Sequence, residues 1–235
     1  ALAVAVLVPA GQRRPAAPVR RRYAREALAG IRMLWRDRLL RTPALSLAAT
    51  NLVGAASVAV VLPVYVREHV GDPVAFGIFV GAFGAGALAG ALIYSAWGHR
   101  LPRRAIWLLA FMLAPLEYWI LVVGPGVALI AAALFIVGVA GGVINPLTVT
   151  VRQERTSPAD RGRIFTNFSV VVATTPPLGV LAAGLLVTAL GLDETVIALA
   201  IAGQLVAALL LLLPSLRDLD RPPPNSETPA VPAPT

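Results

Sequence analysis

Six stretches of this chain, roughly residues 44–66, 74–97, 104–123, 127–150, 165–190 and 195–214, are built almost wholly of Ala, Val, Leu, Ile and Gly. At 1.5 Å of rise per helical residue, ~20 mainly apolar residues cross the ~30 Å hydrocarbon core of a bilayer. Each stretch is long enough. Each is also bounded by charge or by helix breakers: Arg41-Thr42-Pro43, Gly71-Asp72-Pro73, Arg103-Arg104, Gly124-Pro125-Gly126, Arg163, and Gly191 to Glu194. The pattern predicts an all-α integral membrane protein with six transmembrane helices. The opening ALAVAVLVPA is apolar too, but spans only ~15 Å as a helix. Arginines follow it instead of preceding it, which is the reverse of a signal peptide. Residues 1–10 therefore read as the end of a preceding transmembrane helix.

The polar connections have a pattern of their own. Residues 11–43 form a linker whose second part repeats Ala24, Ala27, Leu28, Ile31, Leu34, Trp35 and Leu39 at helical spacing, with Arg25, Arg32 and Arg36 opposite. That is a basic amphipathic helix suited to a membrane surface, and no nucleic-acid role is read from its arginines. Between the fourth and fifth spans lies RQERTSPADRGRIF, residues 152–165, the most polar passage in the second half. Within it Ser157-Pro158-Ala159-Asp160 reads as a capping box, which starts a helical turn before the next span. Asp160 and Arg161 are candidates for exposed ion pairs with neighbouring loops, each worth ~0–1 kcal/mol and so weak enough to open and close. The tail from 217 to 235 is rich in proline and poor in hydrophobics, the composition of a disordered segment.

Composition narrows the class. Hydrophobic residues make up 57% and charged ones 14%, far less charge than the roughly 25% of a soluble domain. The solvent is partly lipid. The chain has no cysteine, hence no disulfide, thiolate metal site or cysteine nucleophile. Its 20 basic residues are all arginine, and 19 of them fall in one alternating set of connections, with Arg67 alone in the other. Arginine in short loops marks the cytoplasmic face. Both ends of the chain are thus expected inside the cell, in a multi-pass protein of the plasma membrane.

Few polar residues lie within the spans. Asn51, Asn145 and Asn167, with Thr148 one turn from Asn145, all fall within ~10 Å of the arginine-bearing ends, counting along the helices. They are candidates for lining a transport cavity, and equally for hydrogen bonds between helices, which average ~0.6 kcal/mol in membranes. Gln204 in the last span reads as a packing residue. Glu117 is the one carboxylate within a span. Burying it ionised costs ~2.5–3.5 kcal/mol or more, so it is expected to be paired, protonated or functional. It is the candidate for proton coupling. Gly86-x-x-x-Gly90 and Gly138-x-x-x-Gly142 allow close backbone approach between helices, and Pro176-Pro177 interrupts the fifth span.

The six spans divide into two triplets that run in opposite senses, with charged inner loops at 98–104 and 152–163. Inverted three-helix repeats within a six-helix unit are the internal symmetry of a large class of secondary transporters. The succession LAGIRMLWRDRLLRTPAL, six spans, and RQERTSPADRGRIF before a Pro/Gly-rich helix resembles the C-terminal half of the major facilitator superfamily (MFS). The similarity is to its drug and siderophore exporters, whose loop pattern matches Pro158 with Arg161-Gly162-Arg163. The family's Gly-x-x-x-Asp-Arg-x-Gly-Arg-Arg motif is matched in 95–104 at Arg100, Arg103 and Arg104, while Ser95, His99 and Pro102 replace its Gly, Asp and second Gly.

The resemblance implies spans seven to twelve of a transporter whose N-terminal six-helix half is a missing partner. It further implies rocker-switch export of small lipophilic or drug-like molecules, no cofactor, and cytoplasmic gate loops carrying Arg100, Arg103, Arg104, Asp160, Arg161 and Arg163. A non-transporting membrane scaffold, or a half-transporter needing a partner half, stays open as the alternative. An enzyme is disfavoured. His69 and His99 fall on opposite faces and cannot share a metal, and no HExxH, Gly-x-Ser-x-Gly or buried carboxylate pair occurs.

Overall fold

The computed structural model describes residues 38–100, 102–156 and 161–212. The expected helix end at 1–10, most of the linker with its amphipathic helix, the capping box at Ser157–Asp160 and the proline-rich tail all lie outside these. Six helices long and apolar enough to cross a membrane are present: α1 Arg41–Val70, α2 Val74–Trp97, α3 Arg103–Val123, α4 Val127–Glu154, α5 Ile164–Leu190 and α6 Leu192–Leu212. Among the described residues there is no strand. The protein is an all-helical, multi-pass membrane protein.

Packing follows the inverted repeats. α2 lies most closely against α4, and α1 against α5; α3 packs on α4 and α6. Exchanging the first triplet with the second turns the α2–α4 pair into α5–α1, as that symmetry requires. The chain makes the α2–α4 contact possible by placing glycines where backbones meet. A Cβ on Gly86 or Gly90 would overlap the carbonyls of Phe135 and Val139, and one on Gly138 or Gly142 those of Phe83 and Ala87. Both expected glycine motifs thus serve one interface, each feeding the other.

The other pair is looser in its backbone. α1 widens into π-helix at Ser57–Val61 and again at Val66–Val70. Pro63 sits between them, and its missing N–H and ring disturb the regular ladder on both sides. α5 breaks between Ala173 and Thr175, one residue before the proline pair. Pro176 leaves the Val172 carbonyl without its helical donor, and the Thr175 hydroxyl donates to it at 2.9 Å. The Thr174 hydroxyl donates to the Val171 carbonyl at 3.0 Å. In lipid a freed carbonyl must find a partner, and for Val172 the Thr175 hydroxyl supplies it. α3 breaks likewise at Pro115, between Leu113 and Leu116.

The apolar core is arranged unevenly. At the end away from the arginine loops one cluster joins all six helices, through Leu62, Phe79, Tyr118, Leu134, Ala183 and Val196. Towards the arginine end it splits. Trp107, Phe111, Ile144 and Leu210 bind α3, α4 and α6 together, while Ala44, Ile164 and Phe168 join α1 to α5. A bundle closed at one end and divided at the other leaves a cleft between its halves.

Candidate functional site

That cleft has a volume of about 570 Å³. Its walls are the two helix pairs: Thr50, Asn51 and Ser57 of α1 with Pro176 of α5 on one side, Phe79 and Phe83 of α2 with Asn145 of α4 on the other. Its floor is α3, contributing Ala110, Phe111, Ala114 and Glu117. Most of the lining is aliphatic or aromatic, and Glu117 is the one titratable side chain on it.

Glu117 is placed by the break at Pro115. It lies in the first turn of the helical segment Leu116–Val123, where unsatisfied N–H groups and the helix dipole favour negative charge. Its side chain is 9% exposed and lines the cleft. Its neighbours turn elsewhere: Trp119 is exposed, whereas Tyr118 is fully buried and donates its hydroxyl to the Val53 carbonyl of α1 at 2.5 Å. Sequence position puts Glu117 near the outer interface beside Trp119 and Tyr118. In the folded chain it faces inward, because successive residues on a helix point ~100° apart.

The structure brings Asn51, Asn145 and Glu117 to one cleft. It does not bring Thr148 or Asn167 there. Thr148 is buried one turn further along α4 and donates to the Ile144 carbonyl at 2.6 Å; Asn167 is buried outside the cleft lining. Gln204 is on the exposed face of α6, not packed as expected. Among the loop residues, Arg103 makes a two-pronged ion pair with Glu154, at 2.5 and 2.8 Å, tying α3 to α4 within the same unit. Arg100 is exposed and Arg104 half-buried. Asp160 lies outside the described residues, as do the side chains of Arg161 and Arg163.

Two residues of the arginine end escaped the reading of the sequence. Glu154 is the partner of Arg103. Arg152 is buried, with its guanidinium 3.9 Å from the Phe168 ring and 4.5 Å from Phe165, and its Nε donating to the Thr148 carbonyl at 3.2 Å. It clamps α4 to α5 across their connecting loop. The available signal was Phe165 and Phe168, three apart and so on one helix face, just after a loop containing four arginines. At the opposite end, His69 stacks on Tyr65 at 4.7 Å and approaches Asp193 at 3.4 Å, joining α1 to α6.

Comparison with known proteins gives the family of these six apolar spans. The model of the Major Facilitator Superfamily matches residues 44–235. The chain belongs to this superfamily. It is 31% identical over 194 residues to the protein named multidrug efflux pump Tap in Mycobacterium tuberculosis, covering 83% of the chain and 46% of Tap. The Tap of Mycobacterium bovis stands at the same values, and that of Mycolicibacterium fortuitum is 32% identical over 192 residues, 81% of the chain and 46% of the relative. The chain thus spans about half the length of the curated relatives it matches. The six spans among its described residues are consistent with an MFS half-fold. No solved structure matches the chain.

Proposed function

We propose that the chain forms half of an MFS exporter that moves small lipophilic or drug-like molecules by rocker-switch alternation, with the arginine end in the cytoplasm of a plasma-membrane protein. The observation that carries this reading is the cleft. Its ~570 Å³ lies within the ~300–1,000 Å³ of small-molecule sites, and its lining is apolar and aromatic with a few polar groups, as such sites are. Sugars and multivalent anions find too few donors there. The resemblance to pumps named for multidrug efflux supports the same substrate class.

In this reading Asn51 and Asn145 orient the solute from opposite walls, and Glu117 carries the coupling charge. A buried carboxyl with no ion-pair partner among the described residues can change its protonation as the cleft exchanges water for solute, which is what coupling requires. The arginine loops, with Arg103 held by Glu154, form the rim that closes against the partner half. The test is efflux of ethidium from cells expressing the complete gene. Parent cells should extrude the dye down an imposed proton gradient, and Glu117→Gln cells should lose that dependence while still binding dye. Dye retention by the parent would favour the scaffold alternative. Proton flux unchanged in Glu117→Gln would remove Glu117 from the mechanism.

A further inference from the structure

The buried hydroxyls of Ser46, Thr148 and Thr195 each donate to the carbonyl four residues earlier, at 2.7, 2.6 and 2.6 Å. Such back-bonding satisfies a serine or threonine inside a helix. Ser57 is as deeply buried, with no exposed surface, yet its hydroxyl makes no hydrogen bond of ordinary geometry among the described residues. The acceptor four residues earlier is the Val53 carbonyl. That oxygen is already taken, by the Tyr118 hydroxyl of α3 at 2.5 Å. The Ser57 hydroxyl lies beside the same phenol. Two donors stand at one oxygen, and one of them is idle.

The crowding falls where both helices are irregular. Ser57 opens the first π segment of α1, Ser57–Val61, and Tyr118 lies three residues past the break at Pro115. Gly54, Ser57, Val58 and Leu62 of the same stretch line the cleft, so a change in the winding of α1 here moves the cleft wall. The two contending bonds are of one kind, a neutral hydroxyl on a carbonyl. Whichever hydroxyl holds the oxygen, the other is left idle. The hydroxyls alone therefore favour neither arrangement by more than the net worth of one such bond, a factor of about ten in population.

We propose that the Val53 carbonyl is an exchange point between these two hydroxyls, and that Tyr118 is a positioning residue for the cleft. While Tyr118 holds the carbonyl, α1 keeps the widened turn at Ser57. When Ser57 takes the carbonyl back, α1 rewinds and its side of the cleft turns with it. Tyr118 acts without touching the solute. This rests on the reading of the cleft as the solute site and adds what sets its shape.

The test uses the complete protein in lipid nanodiscs, in a background without native cysteine, with spin labels at Glu68→Cys and Val123→Cys. Both positions are exposed, at the ends of α1 and α3 away from the arginine loops. The parent should show two label distances, populated within about tenfold of each other. Tyr118→Phe should shift the ratio by about threefold to tenfold towards the distance that is minor in the parent, and Ser57→Ala should shift it the other way. The double variant has no hydroxyl left to contend for the carbonyl and should return to within about twofold of the parent ratio. A bond that merely stabilised the bundle would lower thermal stability without these opposite shifts. Ethidium affinity should follow the ratio, falling about threefold to tenfold in Tyr118→Phe because less of the binding form is present. If ethidium binds the parent but both single variants shift the ratio the same way, or neither shifts it, the exchange falls and the cleft keeps its role. If the labels shift as expected while the parent binds no ethidium, the cleft reading falls and the exchange stands.

Discussion

The α2–α4 and α1–α5 pairs occupy equivalent places under the inverted repeat, yet they are held in opposite ways. In the first, four glycines set each backbone against the carbonyls of the other, and α4 runs unbroken from Val127 to Arg155 through Pro146. In the second, only Gly179 makes such an approach, under the Leu52 carbonyl. There α1 carries two π segments and α5 is divided at Thr174. One wall of the cleft is stiff; the other has hinges already cut into it. A cavity built this way can change width by bending a single wall, while the opposite wall keeps its side chains in register. Symmetry of topology has not imposed symmetry of mechanics.

The largest effect should come from breaking the stiff pair. Gly90→Leu or Gly142→Leu places a side chain where Val139 or Ala87 backbone stands. Overpacking costs ~1–3 kcal/mol where side chains can yield, and more where only backbone can; thermal unfolding in detergent should show the folded population lost or the midpoint sharply lowered. Gly179→Ala tests the pliable pair. Leu52 can retreat along a helix with loosened turns just beyond it, so a loss of only ~1–2 kcal/mol is expected. Equal losses from Gly142→Ala and Gly179→Ala would erase the proposed contrast.

Arg152→Met removes the charge clamped between Phe165 and Phe168 and should lower stability by about 2 kcal/mol, the scale of a desolvated cation–π contact. Phe168→Leu in the same background should add little, which a double-mutant cycle on unfolding measures. The Arg103–Glu154 pair is partly exposed, 30% for each side chain. Its cycle should return at most ~1 kcal/mol, shrinking in high salt. Gly81→Ala, with nothing near its added methyl, should stay within ~0.5 kcal/mol of the parent.

Much of this architecture is written in apolar run length. Twenty oily residues between arginines and prolines leave little choice but a crossing helix, and the glycine spacings pointed to close contact before their partner was known. Orientation about the helix axis was the part that stayed hidden. In lipid a helix is apolar all round, so no polar stripe reveals which side turns inward. Depth can be counted residue by residue, but not where a cleft ends: Asn145 and Thr148 share a face of α4 and lie a turn apart along it. Of the two, only Asn145 reaches the cleft. Glu117 could be given a depth by the same count, whereas its turn toward the cleft is seen only in the fold. Arg152 was hidden differently: in a loop crowded with arginines, a charge that sets topology and one that clamps two helices look alike.

The glycine seam has a consequence for how the protein is made. Gly86 and its contact Phe135 are separated by 49 positions in the sequence, so at ~5–20 residues per second the ribosome delivers the second several seconds after the first. Through that interval α2 stands in the membrane with its smooth face covered by lipid, and α3 is inserted before the true partner arrives. Lipid tails are easily displaced, since no hydrophobic force holds them there. Assembly of the stiff wall is therefore set to be post-insertional, with α3 threaded through first and α4 sliding home against a surface kept vacant for it.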